Sequence, residues 1–329
     1  MDVRDLINIL GDGEYHSGEE LGERFGVSRT AIWKQLKKLE AFGITLDAIR
    51  GRGYRLDPPI ELLDGGEIVR SLPLEARRRL ARLFVEMQIP STNPWLLERF
   101  RQGAGHGEVC FAESQSAGRG RRGRSYQAAL GSGLTFSVGW RFESAASTLE
   151  GLSLATGVAI AEALAEYGVK IELKWPNDPV QRREDGHLEK IGGILVELQG
   201  DAEGPCDVVV GIGLNVTGAP PIESGSGLPA GFIQQQSSTL FSRNRLAASL
   251  VNHVEGMLAL FSEQGFAGWQ ARWNALNALK GQRIMVYRGN ESFAAIAGDA
   301  DVHGSLEVEA ESGIKKVSGG EVTLRPIGA

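Results

Sequence analysis

Apolar positions recur at two different periods along the chain, and the points where the period changes divide it. Leu21, Phe25 and Val27 lead into Ser28, after which Ile32, Leu36 and Leu39 stand at i, i+4 and i+7. With Ser28 as N-cap, this spacing predicts a helix with one apolar face. Gly26 falls where a tight turn between two short helices needs a permissive backbone. "GITLDAIRGRGYRLDPP" then gives two short β-prone runs around Arg50-Gly-Arg-Gly, which predicts a hairpin with a basic tip. Pro58-Pro59 punctuates the chain, and "LDGGEIVRSLPLEARRRLARL" predicts a connecting helical stretch.

Beyond it, β-prone and helical runs mix. "GEVCFAESQ", "LTFSVGWRF", "VKIELKWP", "IGGILVELQG" and "DVVVGIGLNV" read as strands; "TNPWLLERFRQG", "LSLATGVAIAEALAEYG" and "RNRLAASLVNHVEGMLALFSEQG" read as helices. The alternation is not a regular βαβ repeat, so the expected class is α+β, with a central mixed α/β domain rather than a doubly wound sheet. The C-terminal region shows short β-prone runs broken by glycine every few residues, the pattern of a small antiparallel barrel. Three modules are expected: a winged helix-turn-helix over 1–64, a ligand-binding domain over 65–272 and a small β domain over 273–329.

Charge sharpens the first of these. Residues 1–27 carry two basic and seven acidic side chains, whereas residues 28–55 carry seven basic and two acidic. The basic groups fall on the second helix of the helix-turn-helix and on the hairpin tip together, which favours DNA binding over a protein-interaction module with a solvated lysine face. Ser28, Arg29, Thr30, Trp33 and Lys34 stand at the start of the recognition helix, where side chains reach base edges. Lys37, Lys38, Arg50 and Arg52 are placed for phosphates. The whole chain of 329 residues has a net charge of -6, which argues against a general nucleic-acid coat. Two distant cysteines and five scattered histidines offer neither a disulfide framework nor metal-ligand spacing, so a reduced cytoplasmic setting without a protein-bound zinc site is expected. No apolar run approaches the length of a membrane span, and no membrane partner is expected.

The candidate chemistry begins at "SAGRGRRGRS", where Arg119, Arg121, Arg122 and Arg124 alternate with Gly118, Gly120 and Gly123. These glycines formally satisfy the dinucleotide fingerprint, yet "RSYQAALGSG" leads to more glycine and a strand, not to a helix. There is no phosphate-binding P-loop motif, and a single copy followed by an apolar strand is not a disordered RGG segment. A structured anion-binding loop remains: glycine lets backbone N–H groups approach an anion, and guanidinium forks bind carboxylate or phosphate. "KWPNDPV", "LEKIGGILVEL" and "VVVGIGLNV" place Asn177, Asp178, Lys190, Gly193, Gly211, Gly213 and Asn215 at other strand ends. Each alone reads as an ordinary turn. Together they resemble an active site for two anions with a lysine at the chemistry.

"STN" (Ser91–Asn93), "ESQSAGRGRRGR", "KWPND", "EKIGGILVEL" and "GIGLNV", in this order behind a winged helix, resemble the bifunctional biotin–protein ligases that also repress the biotin operon. The resemblance covers nearly the whole chain. It implies that biotin and ATP, with Mg²⁺, form biotinyl-5′-AMP, and that biotin then passes to one lysine of a biotin carboxyl carrier protein. Ser91, Thr92, Asn93, Gln115, Gly118, Gly193, Gly211 and Gly213 match ligand-pocket positions. Arg119 and Arg121 would cover the biotin carboxylate and the α-phosphate. Lys190 would stabilise charge on the transferring group, Asn177 and Asn215 would place nucleotide and Mg²⁺, and Asp178 would orient the acceptor amine. Arg325 matches a nucleotide-facing position of an SH3-like C-terminal domain. One departure stands out: the family pattern continues with tryptophan and Ser-Pro, where this chain has "RSYQAALGSG", leaving Tyr126 as the candidate adenine-stacking ring.

The resemblance further implies a homodimer, favoured by the adenylate, on operator DNA. A lipoate–protein ligase is the alternative enzyme, opposed by the joined "GRGRRGR", "KWPND" and winged helix. A ligand-sensing regulator without catalysis is the alternative of another class, opposed by Lys190, Asp178 and both loop arginines.

Overall fold

The computed structural model describes residues 2–41, 44–126, 128–200, 204–218, 228–233, 242–288, 291–319 and 322–326. Helices α1 (Val3–Leu10), α2 (Gly18–Phe25) and α3 (Arg29–Ala41) are followed by the hairpin β1 (Leu46–Ile49) and β2 (Gly53–Leu56). Ser17 caps α2 with a reciprocal Glu20 bond, and Gly26 ends it at φ 64°, the left-handed conformation the turn requires. Ser28 Oγ accepts from Ala31 N at 3.2 Å and starts α3. The expected apolar stripe is the buried one: Ile32, Leu36 and Leu39 pack with Leu6, Leu10 and Leu21. Together these elements form a winged helix-turn-helix.

The connecting stretch is helical only in part. Helices α4 (Gly65–Ser71) and α5 (Leu74–Arg79) form on either side of Leu72-Pro73, but the run from Arg82 is strand β3 (Arg82–Ile89), which sequence reading missed. Its β-prone residues pair in parallel with β4 (Glu108–Gln115), and that tertiary partner decides the conformation.

Strand β5 (Gly133–Phe142), the hairpin β7 (Asp178–Arg182) and β8 (Leu188–Lys190), β9 (Gly192–Gly200) and β10 (Cys206–Asn215) complete the framework around the site, with short β6 (Glu172–Lys174) beside β7. The main sheet has the order β3-β4-β5-β10-β9, antiparallel except for β3/β4. Helix α6 (Thr92–Arg101) packs on one face; α7 (Leu152–Ala165) and α8 (Arg243–Gln264) enclose the main core on the other. Among the described residues, the helical stretch Ala146–Ala165 is long and apolar enough to cross a membrane by composition. This corrects the expectation that no run reaches that length. Of its most apolar window 67% is buried inside the protein, as in a core helix.

Helix α9 (Gln270–Ala275) leads to an antiparallel sheet of β11 (Arg283–Arg288), β12 (Glu291–Ala300), β13 (Leu306–Ala310), β14 (Gly313–Val317) and β15 (Val322–Pro326), in the order β14-β13-β12-β11-β15. The three modules are stitched by polar contacts. Arg243 Nη2 donates to Glu113 Oε2 and to Gly133 O, both at 2.8 Å, while Leu63 N donates to the other Glu113 oxygen at 2.5 Å. Glu61, just after the wing, accepts from Ser242 and Asn244. Trp175 Nε1 donates to Gly304 O at 3.0 Å, fixing "KWPND" against the turn between β12 and β13.

Candidate active site

Strand β10 shows why a pocket forms where it does. Its residues alternate between two faces. Val208, Val210, Ile212 and Leu214 enter the main core, and Val209 on the opposite face packs against Leu96, Phe100 and Cys110 of α6 and β4. The next two positions on that opposite face are Gly211 and Gly213. A Cβ on Gly211 would collide with the Asn93 amide, and one on Gly213 with the Tyr126 ring. Missing side chains therefore let α6 and the loop after β4 close over the sheet. Ser137 and Thr135 of β5 stand opposite these two glycines, and Leu195 and Gly193 of β9 flank them.

The wall of this concavity is polar. Thr92 N donates to Gln115 Oε1 at 2.7 Å, joining the start of α6 to the end of β4. Ser137 Oγ lies 2.6 Å from Thr92 Oγ1 and 2.5 Å from Asn93 Oδ1. Ser91, Thr92, Asn93 and Ser137 are all buried. Gly118 admits no Cβ because the Tyr126 carbonyl and Gln115 lie against it.

Above the floor, the arginine segment turns tightly through residues 121–123, with Arg122 at φ 60° and Gly123 at φ 69°. Gly120 N donates to Arg124 O and Tyr126 N to Gly118 O, which closes the loop on itself. Arg119 is exposed at its edge. Arg121 points inward, and its Nη1 donates to Asn177 Oδ1 at 3.1 Å, while Asn177 Nδ2 donates to Ile194 O at 2.7 Å. Beside it, Lys190 Nζ donates to Asp178 Oδ1 at 2.6 Å and Lys174 Nζ stands 3.7 Å from Asp178 Oδ2. Burial pushes the Asp178 carboxyl up, but Lys190, Lys174 and Arg121 outweigh it and hold the group below the ordinary aspartate range. Burial likewise lowers Lys174 and Arg121, with Asp178 opposing. A carboxylate ringed by three cations is a local excess of positive charge, suited to a polyanion.

Asn215 is buried at the end of β10, with Nδ2 donating to Gly231 O at 2.9 Å. Its Oδ1 finds no hydrogen-bond partner among the described residues, which fits a hard-oxygen position for Mg²⁺ or a donor on the nucleotide. Gly193 lies 3.6 Å, by its notional Cβ, from Lys190 Nζ. The hydroxyl end of the half-buried Tyr126 ring lies against Gly213, and burial raises its phenol to about 12, with Thr135 opposing. The side chain of Arg325 lies outside the described residues.

Three residues were missed by sequence reasoning: Lys174, Ser137 and Glu197. Lys174 opens the quoted "KWPND" but was not separated from it. Glu197 follows Gly193 by four on a strand and therefore shares its face, a periodicity that was available in the sequence.

At the winged helix, Ser28, Arg29, Thr30, Trp33, Lys34, Lys37 and Lys38 are exposed along one side of α3, as are Arg50 and Arg52 at the wing. Lys37 Nζ lies 5.5 Å from the Trp33 ring centre, and Arg52 stacks 4.5 Å from Tyr15. Both basic surfaces are therefore partly held in place by aromatic rings.

A basic winged helix in front of a pocket with a cation-ringed carboxylate defines a ligase-type catalytic module joined to a DNA-binding one. Residues 3–55 match the HTH domain model, and residues 85–215 match the biotin/lipoate A/B protein ligase family. The bifunctional ligase/repressor BirA of Salmonella typhimurium is 36% identical over 322 residues, covering 97% of this chain and 96% of the relative. That of Escherichia coli is 36% identical over 323 residues, again covering 97% and 96%. The structure of biotin protein ligase from Aquifex aeolicus in complex with biotin and ATP superposes with a TM-score of 0.63 at 25% identity, covering 75% of this chain and all of that one. The chain belongs to the biotin protein ligase family, among its bifunctional ligase/repressors.

Proposed function

We propose that this chain is an ATP-dependent biotin–protein ligase and a biotin-responsive transcriptional repressor. The observation that carries the reading is the cluster in which Lys190, Lys174 and Arg121 surround Asp178 next to the polar pocket of Thr92, Asn93, Gln115 and Ser137. A biotin carboxylate oxygen attacks the α-phosphorus of ATP and pyrophosphate leaves, giving biotinyl-5′-AMP. Arg119 and Arg121 hold the two anions together, and Lys190 stabilises the negative charge that grows on the transferring phosphoryl oxygens. Asn177 and Asn215 would help to hold the Mg²⁺ that accompanies ATP, which would offset phosphate charge there.

In the second step a carrier-lysine amine attacks the acyl carbon and AMP leaves. Lys190 is bound to Asp178 in this state, so drawing Lys190 onto phosphate frees one carboxylate oxygen to orient the amine and take its proton. The acceptor is a lysine of a biotin carboxyl carrier protein, and the setting is cytoplasmic. The adenylate-bound form acts as a homodimer that places two recognition helices on operator DNA. Such coupling requires the adenylate to bind the dimer better than the monomer.

Mass spectrometry after incubation with Mg-ATP, biotin and a carrier domain tests the enzyme. Wild-type biotinylates one carrier lysine, and Lys190→Ala loses about 10²- to 10³-fold in adenylate formation. Asp178→Asn keeps adenylate formation and loses transfer. Lipoylation in a parallel reaction would move the chain to the lipoate ligases. Operator affinity that is equal with and without biotin and ATP would sink the repressor switch.

A further inference from the structure

The polar groups at the pocket floor are ambivalent as hydrogen-bonding partners: hydroxyls donate or accept, and side-chain amides can be turned either way. Their directions follow from the two ends of the chain they form, where the partners are not ambivalent. At one end Asn93 Nδ2 donates to Glu197 Oε2 at 2.7 Å and to Leu195 O at 3.1 Å. A carboxylate and a carbonyl only accept, so the Asn93 amide is fixed with Oδ1 toward Ser137. Ser137 Oγ, 2.5 Å away, must donate its single hydrogen to that oxygen.

At the other end the Thr92 backbone N–H only donates, which fixes Gln115 with Oε1 toward Thr92. Thr92 Oγ1 lies 2.6 Å from Ser137 Oγ and 3.2 Å from Gln115 Oε1. Its hydrogen goes to one of these two. Both hydroxyl hydrogens are thus spent inside the chain, and both hydroxyls turn only lone pairs toward a ligand. The bare backbone of Gly211 makes room for the Asn93 amide at one end of this chain of groups.

We propose that Glu197, a residue of β9 outside the pocket, is a positioning residue that sets this direction and makes the floor select a ligand ring bearing N–H donors. It deepens, and rests on, the biotin-ligase reading: the cyclic urea of biotin carries two such N–H groups, and the dithiolane ring of lipoate carries none. Without the carboxylate, Asn93 is held by the Leu195 carbonyl alone. A flipped amide then donates to Ser137, and the released Ser137 hydrogen faces the ligand, donor against donor. The charged acceptor is the stronger of the two restraints.

The test uses the full chain and its adenylation half-reaction, which needs no carrier. Glu197→Ala is expected to raise the Kd and KM for biotin about tenfold, a loss of about 1.4 kcal/mol, with kcat and melting temperature nearly unchanged. Glu197→Gln restores most of the affinity, because its amide oxygen accepts the same hydrogen. Biotin methylated on a ureido nitrogen isolates the floor: the methylation costs wild-type more affinity than it costs Glu197→Ala. Glu197→Leu takes the place of the alanine variant if that one unfolds. An unchanged biotin Kd in the variants, or an equal methylation penalty in both proteins, would overturn the assignment of Glu197 while leaving the ligase reading intact. A wild-type chain that binds lipoate and not biotin would overturn both.

Discussion

The two basic regions of this protein use charge in opposite ways. On α3 and the wing, Arg29, Lys34, Lys37, Lys38, Arg50 and Arg52 are exposed. Around the catalytic strands the ions are enclosed: Lys174 and Asp178 have only 11% and 16% of their side chains accessible, and the Arg243–Glu113 pair has 3% and 0%. Exposed cations remain available to any polyanion and are screened by salt. Buried ones are strongly directional, and each depends on its partner. The same residue types therefore give a surface open to a polyanion in one module and a site that fixes atoms in the other.

The most severe way to break the contrast is to orphan a buried charge. Arg243→Ala leaves Glu113 facing only the Leu63 N–H, and a loss of about 3–5 kcal/mol is expected, as for other broken buried pairs. Chemical denaturation measures it. The same variant also removes the guanidinium bond to the Glu61 carbonyl, which weakens the junction between the winged helix and the catalytic domain; unfolding as two separate transitions would show it directly.

Glu255 sharpens the comparison, because it is a buried carboxylate without a ring of cations. Neither of its oxygens has a hydrogen-bond partner among the described residues, and burial pushes it up to about 8, with Arg79 opposing. Between the ordinary glutamate value of about 4.3 and about 8, the native state holds a proton that the unfolded chain has lost. Stability therefore falls as pH rises through that window. Glu255→Gln should flatten the slope and stabilise the protein by about 1–3 kcal/mol at its upper end, with little change at its lower end. Thermal melts across the window would show it. Asp178 has the opposite sign: its contribution is present above the ordinary aspartate range and lost as pH falls through its lowered folded value.

The smallest effect lies on the exposed face. Lys37→Ala should weaken operator binding almost equally for all sequences and reduce the slope of log affinity against log salt by about 0.9. Adenylate formation should be insensitive to the same substitution. A change in base preference instead would move Lys37 from the phosphates to the base edges.

Much of this was written in the chain. The period of Ile32, Leu36 and Leu39, with Ser28 before and Gly26 between, specifies the helix-turn-helix because a helix must bury one stripe and a short turn must admit positive φ. The long apolar runs of β4, β5 and β10 identify themselves as strands for the same local reason. The arginine loop, Asn177, Asp178 and Lys190 were legible as chemistry because charged residues and glycines at strand ends have few structural uses. Strand β3 was not legible, since its conformation depends on pairing with β4, and neither was the β7–β8 hairpin that carries Asp178 beside Lys190.

Composition and local period determined which segments are helices and strands and which residue types stand ready for anions. Tertiary structure alone decided who faces whom: that Lys174 and Lys190 meet across Asp178, that Tyr126 lies on Gly213, and that Glu197 reaches Asn93 from another strand. The reason is physical. Propensity and amphipathic period act over a few residues, whereas hydrogen-bond direction and the balance of buried charge are set by groups brought together from as many as 183 positions apart in the sequence.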